Sequence, residues 1–303
     1  MLDRAEAAAP STAGVLASLG ASALFGVIFV LPSRLVPLDP EQILGYRIVV
    51  TLAVLALLLL VSTVRNDVVA IAHRCRRDPR LVVVIVIDAA LLGVQLWLFG
   101  WAPQTGHGLE VSLGYLILPL VMVLIGVVVY RERLSVLRGA AVAVAGVGVV
   151  CAVLFAGGLG WPTLVVVLGL PMYLVSRRAF GVDSTGAQLL EIASMLPFAA
   201  IVFAMRPSLD VVRQVPDLAL TLLLLGIVSA CAFTLYLTAS RMLPFALFGV
   251  LSYVEPVLLV GVSVVVLGER WGAADVFTYL PICIGLSLLA VDALRSGRRQ
   301  SGR

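Results

Sequence analysis

Four charged side chains, Arg47, Asp88, Glu191 and Glu255, lie inside long apolar runs. Any chemistry this chain performs falls first to them. A charge placed in hydrocarbon costs roughly 3 kcal/mol or more, so a charged residue within a membrane-length run is a functional candidate. Arg47 stands in LGYRIVV. A guanidinium keeps its proton and needs a carboxylate, carbonyls or water around it. Arg47 either clamps a substrate anion or completes a structural ion pair; snorkelling to the nearby outer interface is the bland alternative. Glu255 immediately precedes Pro256. Proline leaves a carbonyl unbonded one turn back, so a carboxylate there could exchange a proton or hold a cation. The alternative is a neutral, hydrogen-bonded glutamic acid that serves packing. Asp88 and Glu191 are comparable but sit nearer the cytoplasmic ends of their runs. Glu110, in GHGLEVSLGY, lies close to the outer surface and suits a cap or an anchor.

Aromatic residues accompany these charges. Trp97, Phe99 and Trp101 cluster just after Gln95, while Tyr46, Tyr115 and Tyr253 stand before or at the expected helix breaks. Aromatic walls with a few polar groups suit a pocket for an organic molecule. For Trp101, interfacial anchoring is the better reading. Gln95 and Trp97 are two positions apart, so they do not share a helical face. His73 and His107 fall in different loops on opposite sides and make no metal pair. The four cysteines are scattered without a CxxC pair, which supports neither a disulfide framework nor a zinc site. There is no GxSxG, no HExxH and no lysine for a Walker motif, which argues against an ATP-driven pump and against an enzyme. No cofactor is expected.

These residues need helices to position them. The chain has 303 residues, 61% hydrophobic and only 13% charged, too few charges to solvate a globular surface. An all-α polytopic membrane protein follows. About 20 apolar residues cross the hydrocarbon. By that rule ten spans are expected, at 13–32, 42–63, 81–101, 108–130, 135–155, 160–179, 186–205, 218–239, 244–267 and 273–293. The sixth is interrupted by glycine and Pro171. No cleaved signal peptide is expected, because the first twelve residues carry no basic cluster. All basic residues are arginine. Loops on one side, including 64–80 and the pair Arg177 and Arg178, hold 16 of the 21 arginines, and loops on the other side hold four. That bias places both termini in the cytoplasm. The net charge of +4 therefore reads as an orientation signal, with no nucleic-acid partner.

A repeat organises the spans. Leu113–Arg133 reads LGYLILPLVMVLIGVVVYRER, and Gly249–Arg270 reads GVLSYVEPVLLVGVSVVVLGER. Pro119 maps to Pro256, Glu132 to Glu269 and Arg133 to Arg270, each at an offset of 137. Residues 13–155 and 160–293 then form two five-helix halves, and an odd number of spans makes them antiparallel. Inverted repeats around a shared midplane site are a transporter device. The expected site lies near the breaks at Pro119 and Pro256.

The blocks EQILGYRIVV (41–50), LWLFGWA (96–102), LEVSLGYLILPLVMVLIGVVVYRERL (109–134), LVSRRAFGVDSTGAQLLEIASMLP (174–197) and LSYVEPVLLVGVSVVVLGER (251–270) resemble the EamA group of the drug/metabolite transporter superfamily, and within it the RarD subfamily. The resemblance covers almost the whole chain. It implies two EamA repeats, ten helices, a bacterial inner membrane and permease activity. The subfamily's name reflects a link to chloramphenicol sensitivity. The resemblance implicates Arg47, Glu110, Tyr115, Pro119, Glu132, Glu191, Tyr253, Pro256 and Glu269. The chain departs from the subfamily pattern at Leu118, at Gln95-Leu96 and at Ser252, where amides or Asn-Trp are usual, and at Glu255, where the position is usually uncharged. A polar function moved from one repeat to the other would explain Leu118 and Glu255 together. The expected function is a secondary transporter for a small organic metabolite or drug-like compound, with proton coupling through Glu255 or Glu191. An uncoupled facilitator and a membrane enzyme using an intramembrane carboxylate are the alternatives. The expected partners are the small organic substrate, membrane lipid and protons.

Overall fold

A computed structural model describes residues 11–155, 158–258, 276–288 and 291. Among them every regular element is a helix. In order these are α1 (Thr12–Val30), α2 (Pro40–Leu57), α3 (Ser62–Arg77), α4 (Arg80–Thr105), α5 (Gly108–Val128), α6 (Val136–Phe155), α7 (Trp161–Ala179), α8 (Thr185–Ser194), α9 (Leu196–Met205), α10 (Leu209–Gln214), α11 (Pro216–Met242) and α12 (Phe245–Leu251). A further helix, α13, covers Val276–Leu288.

Local sequence explains the ends. Pro40 opens α2, where its missing N–H is not needed. The Gln42 side-chain oxygen accepts a hydrogen bond from the Asp39 N–H at 2.9 Å. Gly106 closes α4 in the left-handed region, at φ 79°, which a side chain would resist. Ser184 Oγ accepts from the Ala187 N–H at 3.2 Å and starts α8. Pro197 opens α9 and separates it from α8 at Met195.

Seven helical runs among the described residues are long and apolar enough to cross a bilayer. They match the expected spans at 13–32, 42–63, 81–101, 108–130, 135–155, 186–205 and 218–239. The chain is thus a multi-pass membrane protein. The expected span 160–179 is helical as α7, but its last turn carries Arg177 and Arg178, and it is not one of the seven. Pro171 does not interrupt it; α7 runs through the proline. The span 244–267 is seen as an apolar helical stretch from Phe245 to Leu258, and its remainder, with Glu269 and Arg270, lies outside the described residues. The span 273–293 is represented by α13.

A second expectation is corrected. Residues 64–80 are not a loop: most of them form α3. Its Ile71 is buried with Leu81, Ile85, Val182 and Ala187, while its arginines face outward. Charge density hid an amphipathic period from a search for uniformly apolar runs.

The chain divides into two compact units. The larger comprises Gly20–Leu118 and Leu159–Leu237. In it α2 packs on α4, α8 and α9, α4 packs on α7 and α8, and α3 packs on α8. Gly114 permits a close approach, since a Cβ there would stand 2.7 Å from Val166 Cβ. The smaller comprises the described parts of Met1–Leu19, Pro119–Gly158 and Thr238–Arg303. In it Gly249 lets α12 lie against α5, where a Cβ would come within 3.0 Å of the Pro119 carbonyl. Each unit draws on both halves of the sequence.

Candidate functional site

The larger unit holds seven of the eleven expected site residues: Arg47, Asp88, Gln95, Trp97, Glu110, Tyr115 and Glu191. α4 sorts three of them by face. Val86, Ala89, Ala90, Gly93, Val94 and Trp97 recur at helical spacing and line one cavity. Asp88 and Gln95 lie on another face, where the Gln95 amide donates to the Val165 carbonyl of α7 at 2.9 Å.

Glu191 is fully buried on α8. Its Oε1 accepts a short hydrogen bond from Arg177 Nη1, and its Oε2 accepts from the Tyr173 hydroxyl at 2.8 Å. Arg177 is fully buried too. It donates to the Ser184 carbonyl at 2.8 Å and to the Tyr173 oxygen at 3.2 Å. It also pairs with Asp183 at 3.6 Å, and its guanidinium lies 5.3 Å from the Tyr173 ring centroid. This ion pair ties α7 to α8. Sequence reasoning counted Arg177 with the loop arginines because it adjoins Arg178 at the end of an apolar run. The available signal was spacing: Tyr173 and Arg177 are four apart and so share a face.

Asp88, fully buried on α4, faces this cluster. Neither of its oxygens has a hydrogen-bond partner among the described residues; Ser176 and Arg177 of α7 are the polar side chains nearest to it. Arg177 thus acts on Glu191, Asp183 and Asp88 alike.

Arg47 is 4% exposed on α2. Its Nε donates to Ser229 Oγ of α11 at 2.7 Å, and that hydroxyl donates to the Leu225 carbonyl at 2.5 Å. One turn on, Thr51 Oγ1 donates to the Gly226 carbonyl at 3.2 Å. Among the described residues no carboxylate lies within ion-pair distance of Arg47. The structural ion pair expected as one option is therefore absent there, and burial removes the snorkelling option.

Tyr115 joins an aromatic run. Its ring meets Phe99 edge-on at 5.3 Å, and Phe99 meets Phe29 at 6.1 Å. Trp101 stacks on Trp97 at 5.1 Å and on His107 at 4.6 Å, a cluster at the end of α4. Glu110 lies in the first turn of α5, where its carbonyl accepts from Thr163 Oγ1 at 2.7 Å. Its carboxylate fills the space that a side chain at Gly160 would take.

The cavity of α2, α4, α8 and α9 measures about 580 Å³ and is lined by apolar side chains, with Ile48, Trp97, Met195 and Phe198 among them. That is the size of a site for a small organic molecule. Glu41 supplies a charge at its wall. The carboxylate accepts from Trp97 Nε1 at 3.1 Å and from Arg206 Nη1 at 3.4 Å. Of the expected residues, Trp97 alone is part of this lining.

The smaller unit holds Pro119, Tyr253, Glu255 and Pro256. Pro119 lies inside α5, which stays helical around it. Tyr253, Glu255 and Pro256 are buried just past α12. The Tyr253 hydroxyl has no hydrogen-bond partner among the described residues. The Glu-Arg ending has a physical role here: the Glu132 carboxylate accepts from the Phe245 N–H at 2.6 Å and the Ala246 N–H at 2.8 Å. It caps the N-terminus of α12, where free N–H groups and the helix dipole favour an anion.

The sequence matches the EamA-like transporter family over residues 12–154 and 173–291. It is 39% identical to the chloramphenicol-sensitive protein RarD of Pseudomonas aeruginosa, over 96% of this chain and 97% of that one. It is 35% identical to an uncharacterized transporter of Pasteurella multocida, over 93% and 96%. It is 28% identical to the protein RarD of Salmonella typhimurium, over 95% and 97%. A solved crystal structure at 23% identity shares the fold, with a TM-score of 0.69 over 93% of this chain and 98% of that one.

Proposed function

We propose, for a chain that belongs to the EamA-like transporter family, that it is a proton-coupled secondary transporter of a small organic metabolite or drug-like compound. The observation that carries this reading is the set of buried charges in the larger unit. Arg47, Asp88 and Glu191 are fully or almost fully buried in helices of a membrane protein. Charges at such depth are costly and mark substrate or ion pathways. The relatives named as transporters support the same reading.

The reading has ten membrane helices in two inverted five-helix repeats, 13–155 and 160–293. Both termini are cytoplasmic, and the membrane is the bacterial inner one. The separate family matches at 12–154 and 173–291 support the repeat, as does the offset of 137 between Pro119 and Pro256. Inverted copies that exchange conformations expose a site to each side in turn. The proton passes through Asp88 or Glu255, the buried carboxylates that stand outside the Arg177–Glu191 pair. Coupling is reciprocal, so substrate affinity changes with protonation.

The test is metabolite uptake by purified protein in liposomes, with and without an imposed pH gradient, followed by mass detection. Gradient-driven accumulation that is lost in Asp88→Asn or Glu255→Gln is the expected result. Movement that only equilibrates, and ignores both variants, would make the protein an uncoupled facilitator.

A further inference from the structure

The two buried arginines of the larger unit differ in how their charge is met. Arg177 is surrounded by Glu191, Asp183, a carbonyl and a phenol. Arg47 has one hydroxyl, Ser229 Oγ. Neither Nη group of Arg47 donates to a described residue, and no described carboxylate is within ion-pair reach. A guanidinium cannot shed its proton to escape this position. A buried cation without a counter-ion is several kcal/mol less stable than a paired one. The Ser229 bond occupies Nε and fixes the plane of the fork. What remains is the end formed by Nη1 and Nη2, whose parallel N–H bonds match the two oxygens of a carboxylate. The same unit holds the edge-to-face aromatic run Tyr115–Phe99–Phe29.

We infer that Arg47 is the recognition site for a single carboxylate on an organic substrate with an aromatic or aliphatic body. One cation sets one negative charge, so dianions are disfavoured: a second charge would be buried without a partner. Ser229 is a positioning residue that aims the fork. The assignment rests on the transporter reading for its physiological meaning, but the binding itself does not require flux.

The experiment uses the full chain in lipid nanodiscs, with phenylacetate and hexanoate as probes against phenylacetamide, hexanamide and phenyl phosphate. Thermal shift and calorimetry read the binding. The acids stabilise the protein and the amides do not, and phenyl phosphate binds more weakly than phenylacetate. Arg47→Gln weakens the acids roughly ten- to hundredfold, the value of a charged hydrogen-bonded pair. Ser229→Ala keeps the charge and weakens the acids less, with acids still preferred over amides. Arg213→Gln, exposed on α10, changes nothing. The assignment is overturned if amides bind as well as acids, if phenyl phosphate binds more tightly, if no acid binds, or if Arg47→Gln binds acids as the parent does. Liposome uptake of a metabolite mixture separates the two readings: movement without acid binding removes this assignment and leaves the transporter.

Discussion

The Arg177 and Arg47 regions place the same side chain at similar depth in one unit and solve its charge in opposite ways. Around Arg177 the protein supplies its own anions, Glu191 and Asp183, and adds Tyr173 and the Ser184 carbonyl. That arrangement fastens α7 to α8. Around Arg47 the protein supplies a hydroxyl but, among the described residues, no anion. A cation met by protein anions reads as architecture, and one met by none reads as a place for something that arrives.

The largest expected effect tests the Arg177–Glu191 pair. Glu191→Ala leaves Arg177 buried with its main anion gone, and a broken buried pair costs about 3 to 5 kcal/mol. Thermal unfolding in detergent should show a large drop. The double replacement Arg177→Met with Glu191→Leu removes both charges and should recover most of it. If the single variant unfolds like the parent, the pair is not the fastening. Arg47→Gln should behave in the opposite sense. It removes a cation that lacks a protein anion, so stability stays level or rises, while acid binding is lost. A stability loss as large as that of Glu191→Ala would show that Arg47 is structural after all.

Smaller effects sharpen the contrast in other places. Glu132→Ala removes the anion that caps α12 and should lower stability by about 1 kcal/mol, seen as a modest fall in Tm. Trp97→Phe keeps the aromatic wall of the cavity and removes the hydrogen bond to Glu41. The expected loss is about 1 kcal/mol or less. Binding of acids at Arg47 should not change, because Trp97 sits on the cavity face of α4 and not beside Ser229.

Much of this protein was legible from residue type and spacing. Membrane-length apolar runs identify a polytopic helical protein because hydrocarbon forces backbone groups to pair within each segment. The buried charges stand out for the same reason: a charge in such a run is conspicuous, and Arg47, Asp88, Glu191 and Glu255 are all buried. The face separation of Gln95 and Trp97 follows from helical geometry alone, and they reach α7 and Glu41 respectively. Partners were not legible. Whether an arginine near a helix end lies in a loop or in the core depends on where that helix docks, so Arg177 was misread. The partner of Glu191 lies 14 residues away across a turn, and Ser229 lies 182 residues from Arg47. The role of Glu132 was equally hidden, since the N–H groups it caps belong to a helix 113 residues later. The sequence by itself determined which side chains are too costly to be idle. Only the tertiary structure decided which of them are already satisfied, because satisfaction is a matter of distances between helices that no local pattern encodes.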